Sequence, residues 1–158
     1  MENQNKTIIV PFKNNERKDK RLCVALIAHD GKKAEMLSFV KENELFFQDY
    51  KVISTNSTGE LINRHTNLSV RKMLSGPLGG DLQIGGLVAS KEVHLVIFLR
   101  DPLAKQPHDP DIAALLKVCD IHNIPLATNL SSAEILLKGI SENQLSGKFH
   151  QYSRKIAQ

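Results

Sequence analysis

The sequence contains no tryptophan and only eight other aromatic residues, six Phe and two Tyr, in 158 positions. Proteins that grip single-stranded nucleic acid stack bases on aromatics beside a basic groove, and little here is available for that. Cysteine is equally scarce. Cys23 and Cys119 stand far apart in apolar runs, with no CxxC pair and no zinc spacing. Two buried free thiols in a reducing compartment are the expectation, hence a cytoplasmic location. No apolar run approaches the roughly 18 residues of a membrane helix. The N-terminal apolar stretch is short, broken by Pro11, and lacks a small-residue cleavage site, so it does not read as a signal peptide. HExxH, P-loop and GxGxxG patterns are absent, and histidine spacing shows no metal cluster.

What is present fits one globular domain: 41% hydrophobic and 24% charged residues, with 21 basic against 17 acidic groups. The basic excess is concentrated in a polar lead-in over 1–21, which includes Lys6, Lys13, Arg17, Lys18, Lys20 and Arg21. The rest, 22–158, is close to neutral, which argues against a nucleic-acid face. The apolar run at Thr7–Val10 has the pattern of a short strand.

Beyond the lead-in, short apolar runs recur at Leu22–Ala28, Val52–Thr55, His94–Leu99 and Pro125–Thr128, with a weaker one at Leu68–Leu74. Runs apolar on both faces belong to parallel strands covered by helices. Between them Lys32–Lys41 places Met36, Phe39 and Val40 on one helical face. Ile112, Leu115, Leu116 and Cys119 share a helix opened by Asp109 as N-cap and Pro110 in its first turn. Ser131-Ser132-Ala133-Glu134 reads as a capping box before Ile135–Lys138, with Gly139 as the stop. The predicted fold is α/β: three layers, a doubly wound sheet of about five parallel strands with helices on both faces.

Ligands of such sheets sit at the carboxyl ends of the strands, and those loops are rich in functional groups. His29-Asp30-Gly31-Lys32-Lys33 puts two cations in a helix's opening turn. They oppose its dipole, at roughly 0.3–1 kcal/mol each, unless an anion binds there. Thr55-Asn56-Ser57-Thr58 offers three hydroxyls at the start of a helix over Gly59–His65, more than one cap requires, and has the composition of a phosphate cradle. Ser75-Gly76-Pro77-Leu78-Gly79-Gly80-Asp81 is glycine-rich before an aspartate that is either an N-cap or a carboxylate base. The stretch from Arg100 to Asp111 gathers Asp101, His108, Asp109 and Asp111, with Pro107 and Pro110 fixing the backbone around His108.

Together, ALIAHDGKK (25–33), TNSTGELI (55–62), SGPLGGDLQIGGL (75–87), RDPLAKQPHDPDIAALLK (100–117) and IPLATNLSSAEILL (124–137) resemble the methylglyoxal synthase family, in order and with plausible spacing. The resemblance implies a carbon–oxygen lyase that turns dihydroxyacetone phosphate (glycerone phosphate) into methylglyoxal and inorganic phosphate, a glycolytic bypass. It implies a homohexamer with no metal and no organic cofactor, acting on a small molecule and not on nucleic acid or membrane. The family's aspartate base falls on Asp81. Its substrate and phosphate contacts fall on His29, Lys33, Thr55, Asn56, Ser57, Thr58, Ser75, Gly76 and His108. Asp111 matches a further active-site aspartate, and Asp30 and Asp101 are supporting candidates. The family loop usually reads TGTTG. Here Asn56 replaces a glycine, and asparagine tolerates left-handed backbone better than most residues.

The expected chemistry is proton abstraction by Asp81, a hydrogen bond from neutral His108 to the developing oxyanion, and phosphate departure assisted by Lys33 and the loop hydroxyls. Asp101 or Asp111 would support His108. Free phosphate, fitting the same cradle, is an expected inhibitor. Two other readings share the scaffold: a regulatory domain that binds a phosphorylated effector without turnover, and an isomerase or phosphatase of small sugar phosphates.

Overall fold

The structure, a computed structural model, describes residues 21–142. Five strands form one sheet: β1 (Cys23–Ala28), β2 (Lys51–Ser54), β3 (Val70–Lys72), β4 (Leu95–Leu99) and β5 (Leu126–Ala127). All neighbours pair in parallel, in the order β3-β2-β1-β4-β5. The chain leaves β1 towards β2 and β3, then crosses back to lay β4 on β1's other side. That reversal is the topological switch point, where an α/β sheet opens a crevice.

Helices α1 (Lys33–Glu42), α2 (Glu44–Gln48), α3 (Asn56–His65), α4 (Gly80–Ala89), α5 (Asp109–Ile121) and α6 (Leu130–Ser141) complete the domain. Strand alternation divides the core in two. Val24, Leu26, Leu95 and Ile97 point to a layer with Met36, Phe39, Phe47, Ile62 and Leu137 from α1, α2, α3 and α6. Ala25, Ile27, Val96 and Phe98 point to the opposite layer, with Ile84 and Val88 of α4 and Ile112, Leu115 and Cys119 of α5. The three-layer doubly wound sheet expected from the apolar runs is therefore the fold. Both thiols are buried, and burial pushes each up to about 11.

Several boundaries differ from the sequence expectation. The last helix begins at Leu130, capped by Asn129, whose side chain accepts the Ser132 N–H at 2.9 Å. The Ser131 capping box is thus displaced by an asparagine already in extended backbone. Gly139 lies inside α6, which runs on to Ser141, because Leu137 and Ile140 still pack on the sheet. His108, not Asp109, is the N-cap of α5, with Asp109 and Pro110 in its first turn. The second-loop helix starts at Asn56 instead of Gly59. The strand near Thr7–Val10 and most of the tail beyond Ser141 lie outside the described residues. No helix among those described is long and apolar enough to cross a membrane.

Candidate active site

Each singled-out loop follows a strand, so all of them converge on the carboxyl edge of the sheet. The Ser75–Asp81 stretch shows how sequence sets the geometry there. Gly76–Leu78 forms one 3-10 turn, and Gly79 (φ 96°) takes the left-handed conformation that reverses the chain into α4. Gly80 lies so close to the Leu74 carbonyl that a Cβ would stand 2.0 Å from its oxygen. This packing sets Asp81 in the first turn of α4, facing inward.

Asp81 is almost completely buried, at 1% exposure, and neither carboxylate oxygen has a hydrogen-bond partner. Its Oδ2 lies 3.3 Å from His108 Nε2. Burial raises its pKa; the His108 ring opposes that rise and Asp111 adds to it. Asp81 is therefore the second residue of α4 and not its N-cap, which is Gly79. A buried carboxylate that accepts no hydrogen bond is a poor structural element and a strong proton acceptor. Gly76 faces the same pair: a Cβ there would stand 2.7 Å from His108 Nε2 and 3.2 Å from Asp81 Oδ2.

His29 joins this pair from β1, its ring centroid 6.1 Å from that of His108. Its Nδ1 accepts the Asp101 backbone N–H at 2.8 Å. The neutral ring must then carry its proton on Nε2, which is buried and unpartnered. Burial lowers its pKa, and His108 and Arg100 reinforce the shift against Asp101 and Asp109. His29 is thus a neutral donor with a free N–H.

From the other side of His29, Lys33 reaches the second loop. Its Nζ donates to Asp30 Oδ1 at 2.5 Å and to Ser57 Oγ at 2.7 Å. The Asp30 carboxyl is held below its usual pKa by that bond. Ser57 accepts from the lysine and keeps its own hydroxyl proton to give. Thr55 is the N-cap of α3 but makes no capping bond. Thr58, in contrast, is fully buried and donates to the Ala28 carbonyl at 3.4 Å. The first-turn N–H of Asn56 goes to the Leu74 carbonyl at 3.3 Å, while those of Ser57 and Thr58 have no helical acceptor. Asn56 begins α3 in ordinary helical backbone; among described non-glycine residues only Lys91 and Asn123 have positive φ. Left-handed tolerance at Asn56 is consequently not required.

The fourth loop splits its two aspartates. Asp101 serves His29 through its N–H, and its Oδ1 accepts the Leu103 N–H at 3.1 Å. Asp111, in the first turn of α5, acts on Asp81. His108 Nδ1 is buried without a partner, so neither aspartate bonds it. Ser75 caps the 3-10 turn with no side-chain bond. Among described residues, no group of three His, Cys, Asp or Glu side chains is arranged to hold a metal. One residue escaped the sequence reading. Arg100, the first residue past β4, has a buried Nε with no partner. A cation directly after an apolar strand at the switch point was the available signal.

A buried carboxylate beside a histidine, next to a hydroxyl- and lysine-bearing helix start, defines an α/β domain built for a small anionic ligand. A family model described as "MGS-like domain" matches residues 35–128 of the chain. Methylglyoxal synthase of Carboxydothermus hydrogenoformans is 57% identical over 118 residues, covering 75% of this chain and 98% of that one. Methylglyoxal synthase of Borrelia garinii subsp. bavariensis is 54% identical over 116 residues, covering 73% and 92%. The crystal structure of methylglyoxal synthase from Elizabethkingia anophelis superposes with a TM-score of 0.70 at 37% identity, over 74% of this chain and 77% of that one. The chain belongs to the methylglyoxal synthase family.

Proposed function

We propose that the chain eliminates phosphate from dihydroxyacetone phosphate to give methylglyoxal, with Asp81 as the base. The observation that carries this reading is the buried Asp81 carboxylate, free of hydrogen bonds, against His108 and the side-chain-free face of Gly76. Asp81 takes a proton from the hydroxymethyl carbon, and the electrons of that C–H bond form an enediolate with the neighbouring carbonyl. His108 and the Nε2–H of His29 donate to the oxygens that gain charge. Triosephosphate isomerase meets the same substrate with a carboxylate and a neutral histidine. There the proton returns to the adjacent carbon. Here the enediolate electrons expel the phosphate oxygen instead, leaving an enol that ketonises to methylglyoxal.

Expulsion requires the C–O bond to stand across the enediolate plane. Lys33, Ser57, Thr55 and the free N–H groups of Ser57 and Thr58 hold the phosphate in that position and stabilise its charge as it leaves. Asn56 makes no contact of its own in this reading, its N–H being given to Leu74. Thr58 acts through its N–H and not its hydroxyl, which is committed to Ala28. Ser75 and Gly76 line the reacting carbon, Asp30 orients Lys33, Asp101 fixes the His29 tautomer, and Asp111 tunes Asp81. Free phosphate competes for the same cradle. The active form in this reading is a homohexamer, measurable by analytical ultracentrifugation, and its two buried thiols suit the reducing cytoplasm.

The test is to incubate chelator-treated protein with dihydroxyacetone phosphate and read methylglyoxal and free phosphate together, beside Asp81→Asn. Equal amounts of both products from the unaltered protein and a loss of both in the variant are expected. Undiminished turnover by Asp81→Asn would remove the base. Phosphate binding with neither product would instead make the domain a sensor.

A further inference from the structure

The two loops that carry the phosphate cradle and the aspartate meet on one peptide, that of Leu74. The ladder of β3 on β2 ends with the Met73 N–H on the Ser54 carbonyl at 2.7 Å. Both polar backbone groups of the next residue go elsewhere. The Leu74 carbonyl accepts the Asn56 N–H, from the first turn of α3, at 3.3 Å. Gly80, in the first turn of α4, packs against that same carbonyl. The Leu74 N–H is given to a side chain, the Oε1 of Gln83, at 2.7 Å.

Gln83 belongs to the helix that carries Asp81. Its own N–H closes the opening turn of α4 on the Gly79 carbonyl at 3.0 Å, while its side chain reaches back to Leu74. The two helices do not share a core layer: α3 contributes Ile62 to one, and α4 contributes Ile84 and Val88 to the other. The sheet lies between their bodies, so packing of one helix on the other cannot register Asp81 against Ser57. Their first turns are registered through the Leu74 peptide instead. Gln83 is exposed, and its bond goes to that peptide and not to Asp81, whose carboxylate accepts none.

We propose that Gln83 is a positioning residue for the elimination: by holding the Leu74 N–H it sets the span between the Asp81 carboxylate and the Lys33–Ser57 cradle. This rests on the reading in which those two groups take the reacting carbon and the phosphate of one substrate. A substrate held at both ends reacts only when the span between base and cradle matches it, and misplacement on the order of 1 Å costs about 10²-fold in rate. Either end alone is indifferent to the span, because phosphate needs only the cradle. Without the glutamine oxygen the Leu74 N–H is left to water and the peptide loses this tie to α4. The loss therefore falls on turnover and leaves phosphate affinity as it was.

The test measures kcat and KM for dihydroxyacetone phosphate, with the inhibition constant of inorganic phosphate, on the full chain, Gln83→Leu, Gln83→Glu and Ser90→Ala. Ser90 follows the far end of α4, where its hydroxyl meets Glu92 at 2.7 Å, so its loss perturbs the helix without touching Leu74. Gln83→Leu should lose roughly tenfold to thirtyfold in kcat, with KM and phosphate inhibition within about twofold. Gln83→Glu keeps an oxygen acceptor at the same reach and should return kcat to within about threefold of the original. Ser90→Ala should turn over like the original. A folded Gln83→Leu with kcat within about twofold overturns the inference, as does an equal kcat loss in Ser90→Ala or in Gln83→Glu. If Gln83→Leu fails to fold by circular dichroism, Gln83→Asn, one methylene too short to reach, takes its place with the same expected split. Failure of the underlying reading looks different: no product from the original protein, or undiminished turnover by Asp81→Asn.

Discussion

Gly76→Ala tests the reaction centre through a single methyl group. A Cβ at this position stands 2.7 Å from His108 Nε2 and 3.2 Å from Asp81 Oδ2, where ordinary contact begins at 3.4 Å. Both partners are buried and sit on different helices, α5 and α4, so neither ring nor carboxylate swings freely away. Separating them takes a shift of about 0.7 Å, and misplacement on the order of 1 Å costs about 10²-fold in rate. Overpacking of this kind also destabilises by roughly 1–3 kcal/mol. Initial rates of methylglyoxal and phosphate release, with kcat and KM resolved, form the assay, alongside thermal melting. The expected result is a folded protein with kcat down about a hundredfold and KM nearly unchanged, since the cradle lies at the other loop. A folded variant with kcat within about threefold of the original would refute the assignment of this pair to the reaction.

Asp81→Asn should melt at a higher temperature than the original at neutral pH. The folded pKa of Asp81 is raised, so its ionised form destabilises the fold; the penalty is full above the folded pKa and vanishes as pH falls below the unfolded value of about 3.9. Equal melting points at pH 7 would count against a desolvated carboxylate. Nitrogen NMR at pH 6.5 should find His29 neutral and protonated on Nε2, because Asp101 donates to Nδ1 and the pKa is lowered; an Nδ1-protonated or cationic ring would contradict the geometry. Ser57→Ala should raise KM roughly tenfold through loss of one charge-assisted contact. Thr58→Val, by contrast, should cost about 1 kcal/mol of stability, because its hydroxyl serves Ala28. A large KM effect from the second with none from the first would reverse their roles.

Parallel strands buried on both faces read as continuous apolar runs, so β1 and β4 were legible in the sequence to within a residue, and with them the α/β fold. The candidate loops were legible too, because a parallel sheet carries its ligands beyond the carboxyl ends of its strands. Chain order could also name Asp81, His108, Lys33 and Ser57 as residues of interest, since each lies in a loop beyond a strand. Helix ends were less accessible: Gly139 stays helical because Leu137 and Ile140 bury against the sheet, an energy that local propensity does not contain. What only the tertiary structure decided is which functional group meets which. Asp101 and Asp111 are alike in sequence, yet one fixes His29 and the other acts on Asp81, because they flank different strand and helix ends. Thr58 and Ser57 are neighbours, yet helical geometry turns one hydroxyl into the core and the other towards Lys33. Arg100 was silent for the same reason. Whether a guanidinium is paired depends on groups brought to it from α1, β5 and α6, and that proximity is a property of the folded domain.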